Sequence, residues 1–247
     1  MLTFQVGRID KMKNSRITAV FFDWDMTLAR ILGDVPTSQR LAALFQRHGL
    51  PYTAAQIESA LHQYYLNGGK QSKQQKPQKP SEIIQFYHNL LAHLGQEEIP
   101  QNLGRQLYEG YALLPNLLYD DVLPTLTRLH TQGFRLGILS NHSKTARQAM
   151  ESLVGYLIEP EHIIISEEIN LHKPDGRIFH YAAEKIGVPP QECTLIGDNF
   201  DVDAIGSVTA GGFAHGFWLD RENENARELP DFVSRVVRLD EVLDYLL

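Results

Sequence analysis

The stretch Ile17 to Leu28, ITAVFFDWDMTL, constrains this chain most, because a run of apolar residues ends abruptly in Asp23 and Asp25. Val20, Phe21 and Phe22 are β-branched or aromatic and unbroken by polar groups, as expected of a central parallel strand covered on both faces. The two aspartates then fall at its carboxyl end, the edge of an open α/β sheet where ligands bind. A plainer reading, in which either aspartate only caps a helix or begins a turn, fits the same residues. The rest of the chain decides between the two.

From Asp121 onward apolar runs and helical patterns alternate. Helices are expected over 121–131, 144–153, 177–186, 203–210 and 240–246, with Gly133 and Gly187 as stops. Strands are expected over 134–140, 162–166, 194–197 and 213–219. Strand and helix repeated in this way give an α/β fold, a parallel sheet with helices on both faces. Between the first strand and this region, from Val35 to about Asn116, the pattern stays helical. Thr37 or Ser38 can cap one helix, Thr53 and Gln56 form a capping-box pair for a second, Ser81 caps a third, and Pro100 to Leu114 supplies a fourth. Short amphipathic helices of this kind share one buried face. Tyr64, Tyr65, Phe86, Tyr87, Tyr108 and Tyr111 recur mostly at helical spacing and are read as core of that bundle rather than substrate contacts. Lys70 to Pro80, KQSKQQKPQKP, has no apolar residue to bury and is expected to be a surface loop. A basic flap over an anionic substrate is the other reading.

The hydrophobic fraction of 43% over 247 residues supplies a real core. Lys+Arg 23 against Asp+Glu 30 leaves a net charge of -7, which weighs against nucleic acid or an anionic membrane as the main partner. A single cysteine, Cys193, permits no intramolecular disulfide and suits a reducing, cytoplasmic setting; it is read as a small buried residue, not a nucleophile. Met1 to Arg16 lacks the apolar stretch of a signal peptide and is expected to be an exposed arm, a mitochondrial-type presequence being the weaker reading. No run is long and apolar enough for a membrane span.

Three apolar runs end in groups suited to phosphate or metal chemistry: Asp23 and Asp25, then Ser140 and Asn141, then Gly197 with Asp198. Lys173 is expected in the first turn of the following helix, its ammonium directed to the same edge, and Asp201 and Asp203 extend the acidic cluster. Two carboxylates about 4 Å apart repel by roughly 4 kcal/mol at an effective dielectric of about 20, so the cluster calls for a cation. Oxygen ligands without His or Cys point to Mg²⁺ rather than zinc.

In order and spacing, Asp23-Trp-Asp25-Met-Thr27, Ser140-Asn141, Lys173-Pro174 and Gly197-Asp198-Asn199-Phe-Asp201-Val-Asp203 resemble the motifs of the haloacid dehalogenase superfamily. The resemblance implies a Rossmann-like core over 17–32 and 118–247, a small α-helical cap over 33–117, and an arm over 1–16. It implies Asp23 as nucleophile, Asp25 as general acid and base, and Ser140, Asn141 and Lys173 as phosphate-binding groups. Mg²⁺ is expected on Asp23, the Asp25 carbonyl and Asp198. Thr27 would steady the loop and Asp203 would support the metal or Lys173; Asp201 is the less favoured substitute. The family's dehalogenases lack an acid at the Asp25 position, so Asp25 argues for phosphate esters. The implied activity is hydrolysis of a small phosphorylated metabolite, a nucleoside monophosphate or sugar phosphate. A sugar-phosphate mutase and a non-catalytic binding protein on the same fold are the alternatives. His142 and His172 are expected at the pocket edge or in solvent, a catalytic role being the lesser reading. HGFWLDRE, from His215, resembles a stretch of nucleotidase-type members.

Overall fold

The computed structural model describes residues 16–66, 79–223 and 227–247. The arm before Arg16 and the Lys70 to Pro80 segment as far as residue 78 lie outside the described residues. The strands are β1 (Ala19–Phe22), β2 (Ala29–Ile31), β3 (Asn116–Leu118), β4 (Arg135–Ser140), β5 (Ile163–Ile165), β6 (Cys193–Gly197), β7 (His215–Leu219) and β8 (Val233–Val236). The helices used below are α1 (Thr37–Arg47), α2 (Ala54–Leu66), α3 (Pro80–His93), α4 (Leu103–Tyr111), α5 (Val122–Thr131), α6 (Arg147–Val154), α7 (Ser166–Ile169), α8 (Gly176–Ile186) and α9 (Gly206–Thr209).

The main sheet has six strands in the order β5-β4-β1-β6-β7-β8, every pair parallel. Because side chains alternate along a strand, β1 feeds two cores. Val20 and Phe22 pack with Ile138, Ile196 and the apolar faces of α5 and α6, including Leu126, Leu129 and Met150. Ala19 and Phe21 pack on the other face with Leu139, Leu195 and Ile178, Phe179 and Ile186 of α8. The strand is therefore apolar throughout, and the first polar side chain it can present is Asp23, just past its end. This is the α/β architecture, with helices on both faces, that the alternating pattern predicts.

Helices α1 to α4 bury a core of their own around Leu44, Phe45, Ile57, Leu90, Leu91 and Leu107. The expected capping box is formed: the Gln56 amide N–H donates to Thr53 Oγ1 at 3.3 Å while Gln56 Oε1 accepts from the Thr53 N–H at 2.9 Å. Helix α3 begins at Pro80, whose missing N–H costs nothing in a first turn, rather than behind Ser81. Chain entry and exit run side by side as the antiparallel pair β2 and β3, with Ala29 opposite Leu118 and Ile31 opposite Asn116. Each of these strands has three residues, too short to leave a readable alternation. Strand β8 is likewise absent from the sequence-based reading. The helix expected over 203–210 starts earlier, as a wide π-type turn over Phe200–Ile205 that runs into α9.

Candidate active site

Strands β1, β4 and β6 lie side by side and end at one edge, so their following residues converge by topology alone. Asp23, Asp25, Ser140, Asn141, Lys173, Asp198 and Asp203 all line one cavity of about 570 Å³ between this edge and helices α1 to α4. Of the sequence-derived site residues only Thr27, fully buried, stands behind it. Its Oγ1 accepts from the Asp198 N–H at 3.1 Å, which ties the loop after β1 to the end of β6.

Lys173 is the centre of the charge arrangement. Its Nζ donates to Asp23 Oδ1 at 2.8 Å and to Asp203 Oδ1 at 2.7 Å, and its side chain is 2% exposed. Burial by itself would weaken the ammonium's hold on its proton, but Asp203 and Asp23 outweigh it and raise the lysine above its ordinary range. Lys173 does not sit in a first helical turn as expected. Helix α8 starts at Gly176, capped by Asp175, whose Oδ1 accepts from the Arg177 N–H at 3.0 Å. The lysine stands in the loop ahead of it, where Asn141 grips its backbone: Nδ2 donates to the Lys173 carbonyl at 2.9 Å and Oδ1 accepts from the Lys173 N–H at 2.8 Å. Asp203 reaches this point because residue 197 is glycine. A Cβ there would lie 2.3 Å from Asp203 Oδ2, the same oxygen that accepts from the Asn199 N–H at 3.1 Å.

Asp23, Asp198 and Asp203 each offer a carboxylate oxygen within 4.8 Å of the others. An all-oxygen set of this kind fits Mg²⁺ and has no soft ligand to favour zinc. Cys193, the only thiol, is buried and pushed up to about 12 by burial and Glu192, which leaves it inert.

His142 lines the cavity, the first of its two expected places, rather than facing solvent. It is 5% exposed, its Nδ1 accepts from the Ser143 N–H at 2.8 Å, and its Nε2 therefore carries the proton toward Asp25 Oδ2 at 3.2 Å. Burial disfavours the imidazolium, yet Asp25 outweighs it and raises the ring's pKa. Met26, next to Asp25, takes a left-handed backbone with φ 61, and its sulfur lies 3.8 Å from both Arg40 Nη1 and the Tyr119 hydroxyl. Trp24, between the aspartates, is fully buried and donates its indole N–H to Asn116 Oδ1 on β3 at 3.1 Å. Outside the cavity lining, Arg105 of α4 pairs with Glu167 of α7, whose Oε2 also accepts from the Lys144 N–H at 2.9 Å, joining the helices to the sheet edge. The aromatic residues of α2 to α4 serve two purposes. Tyr87 and Tyr108 belong to the buried core as expected, but both also line the cavity, as do Tyr64, Tyr65, Phe86 and Tyr111.

A buried knot behind the site escaped the sequence. Arg221 Nη2 donates to the Thr27 carbonyl at 2.8 Å, and the guanidinium forks onto Asp121 at 2.8 and 3.0 Å. Asp121 Oδ2 also accepts from the Leu239 N–H at 2.8 Å. The only trace of this in the sequence is the WLDRE stretch. Burial would raise the Asp121 carboxyl, but the Arg221 and Leu239 hydrogen bonds prevail and hold it below the ordinary aspartate value. A depressed folded-state pKa stabilises above the unfolded value and is lost as pH falls through the folded one. Asp121→Asn is expected to cost about 2–3 kcal/mol at neutral pH, with the gap from wild type closing below about pH 4. Urea midpoints at both pH values check this; an equal gap at each would overturn it.

The match of residues 17–211 to the family model of haloacid dehalogenase-like hydrolases accords with this geometry. A glyceraldehyde 3-phosphate phosphatase of Methanopyrus kandleri is 30% identical over 244 residues, covering 92% of this chain and 96% of its own. A phosphoserine phosphatase of Thermus thermophilus is 33% identical over 106 residues, 42% of this chain and 41% of its own. Among solved structures, the HAD-hydrolase YfnB from Bacillus subtilis, bound to magnesium, superposes with a TM-score of 0.69 at 21% identity, covering 94% of this chain and 99% of that one. The chain belongs to the haloacid dehalogenase-like hydrolases. Within them it stands with the phosphatases, since relatives so named align over most of its length. No helix among the described residues is long and apolar enough to cross a membrane.

Proposed function

We propose that the protein is a Mg²⁺-dependent phosphomonoester hydrolase acting on a small phosphorylated metabolite through a phosphoryl group carried transiently on Asp23. The observation that carries this is the pairing of a cavity-lining Asp23 with buried Lys173. One carboxylate oxygen is held by the ammonium, which fixes the side chain on the cavity wall at the strand end and leaves the other outside that hydrogen bond. In-line attack by Asp23 on phosphorus forms the acyl phosphate as the ester oxygen departs. Asp25, oriented by His142, gives that oxygen its proton and then takes one from the water that releases phosphate. Lys173 and Ser140 balance charge on the phosphoryl oxygens. Asn141, expected at those oxygens, commits its side-chain amide to the lysine's backbone and acts by holding Lys173 in place. Asp23, Asp198 and the Asp25 carbonyl would hold Mg²⁺, which when bound offsets the charge of the phosphate dianion among these carboxylates. Asp203 keeps Lys173 charged and positioned. Helices within 33–117 act as the cap that selects the substrate, and the segments 17–32 and 118–247 carry the chemistry. The buried lone cysteine suits a reducing cytoplasm.

Phosphate release from a panel of esters, with Mg²⁺ and with chelator, tests the reading. The panel holds nucleoside monophosphates, sugar phosphates, glyceraldehyde 3-phosphate and phosphoserine, the last two prompted by the names of the relatives. Metal-dependent release from one class is expected; release unaffected by chelator, or from no ester at all, would overturn it.

A further inference from the structure

Among the described residues, cations on the cavity wall are few, and most are already neutralised. Lys173 is shared between Asp23 and Asp203. Arg30 pairs with Asp34 at 2.6 Å and lies over the Tyr119 ring at 4.6 Å. Arg40, in the first turns of α1, is different. Among the described residues it has no carboxylate partner. Its Nη1 lies 3.8 Å from the Met26 sulfur, its Nη2 lies 3.5 Å from the Gly33 carbonyl, and its Nε is buried with no hydrogen-bond partner. Both of the contacts it does make are long for a guanidinium, whose charge-assisted hydrogen bonds run at about 2.7–2.9 Å. Tyr111 completes the corner: it lines the same cavity, and Asp25 and Arg40 are both near enough to act on its ionisation. The guanidinium thus faces the same small cavity as the reacting carboxylates, on the helical side of it.

A half-shielded guanidinium with no anion of its own is unfavourable unless a ligand brings one. We infer that Arg40 and Tyr111 form a subsite for a carboxylate at the far end of the substrate from its phosphate. Resting on the phosphatase reading, this makes the preferred substrate a short phosphorylated carboxylic acid. One guanidinium and one phenol balance a monoanion, and the planar fork of arginine matches a carboxylate in two parallel hydrogen bonds. A second phosphate would bring up to two charges to a corner that holds one cation, so nucleoside diphosphates and bisphosphates fit it less well. The cavity volume of about 570 Å³ suits a small molecule that spans phosphate and carboxylate sites together. Closing around such a substrate would also shield the Arg40 pair from water, which strengthens it.

The test compares 3-phosphoglycerate and phosphoserine with glycerol 3-phosphate, which carries the phosphoester without the carboxylate. Wild-type enzyme is expected to favour the acids in kcat/KM, mostly through KM. In Arg40→Gln the ratio of acid to glycerol ester should fall by roughly 30-fold or more, the scale for removing one partner of a shielded charge pair. Arg40→Lys should recover only part of it, because an ammonium cannot fork. Equal losses on both kinds of ester, or a wild-type ratio near one, would overturn the inference. Direct binding separates its failure from failure of the hydrolase reading. Calorimetry of 3-phosphoglycerate on an Asp23→Asn background should show affinity that Arg40→Gln removes, whether or not any ester is turned over. Affinity indifferent to Arg40 would sink the subsite alone.

Discussion

Asp23→Asn is expected to abolish phosphate release, by roughly 10⁴-fold or more, while the protein stays folded. The amide keeps the shape of the side chain but is no nucleophile toward phosphorus. Folding should survive because Lys173 keeps Asp203 at 2.7 Å as a charged partner and the substituted amide oxygen can still accept from Nζ. The measurement is a rate under saturating Mg²⁺ set beside circular dichroism and a denaturation midpoint. Normal turnover in the folded variant would remove Asp23 from the mechanism. Loss of both structure and rate would mean that the carboxylate is needed chiefly to balance the lysine.

Lys173→Met should be the most damaging substitution for stability and nearly as damaging for rate. It leaves the carboxylates of Asp23 and Asp203 beside each other with neither the cation nor its hydrogen bonds. Breaking a buried ion pair by removing one member costs about 3–5 kcal/mol, because the remaining charge is uncompensated. The lysine's pKa is raised in the fold, so its contribution is complete at pH values below that of an ordinary lysine. It is lost only as pH rises through the raised value. The lysine's own share of the deficit should therefore persist across neutral pH, whereas burial raises Asp203 to about 6 even with Lys173 beside it, so protonation of Asp203 should trim the deficit as pH falls; added Mg²⁺ should restore part of it by rejoining the acidic residues. A deficit under about 1 kcal/mol would mean that one of the two aspartates gives up its charge instead.

Sequence and structure agree best where one physical signal dominates. β1 was legible because four consecutive residues are buried and the next side chain is ionisable, a contrast that only a strand end in an α/β sheet explains well. The capping box at Thr53 and Gln56 and the stop at Gly187 were legible because each is a local bargain between a side chain or a glycine and orphaned backbone groups. What stayed hidden is long-range. Arg221 and Asp121 are 100 positions apart, and nothing in either neighbourhood tells one of the other. Asn141 could be placed at the sheet edge from its strand, but whether its amide faces a ligand or the Lys173 backbone depends on a loop 32 residues away. His142 could be placed at the pocket edge from its neighbours, but its partner Asp25, in the loop after β1, could not be read from them. The tyrosines of α2 to α4 show a subtler limit, since helical spacing identifies the face that is covered but not whether protein or ligand covers it.

The Trp24 hydrogen bond to Asn116 is a clasp at the place where the chain enters and leaves its helical segment. Asn116 stands on the returning strand and Trp24 between Asp23 and Asp25, so one buried indole pins the turn that carries both acids to the ribbon leading to the helices. That turn is thereby held by a residue 92 positions away as well as by its own strand.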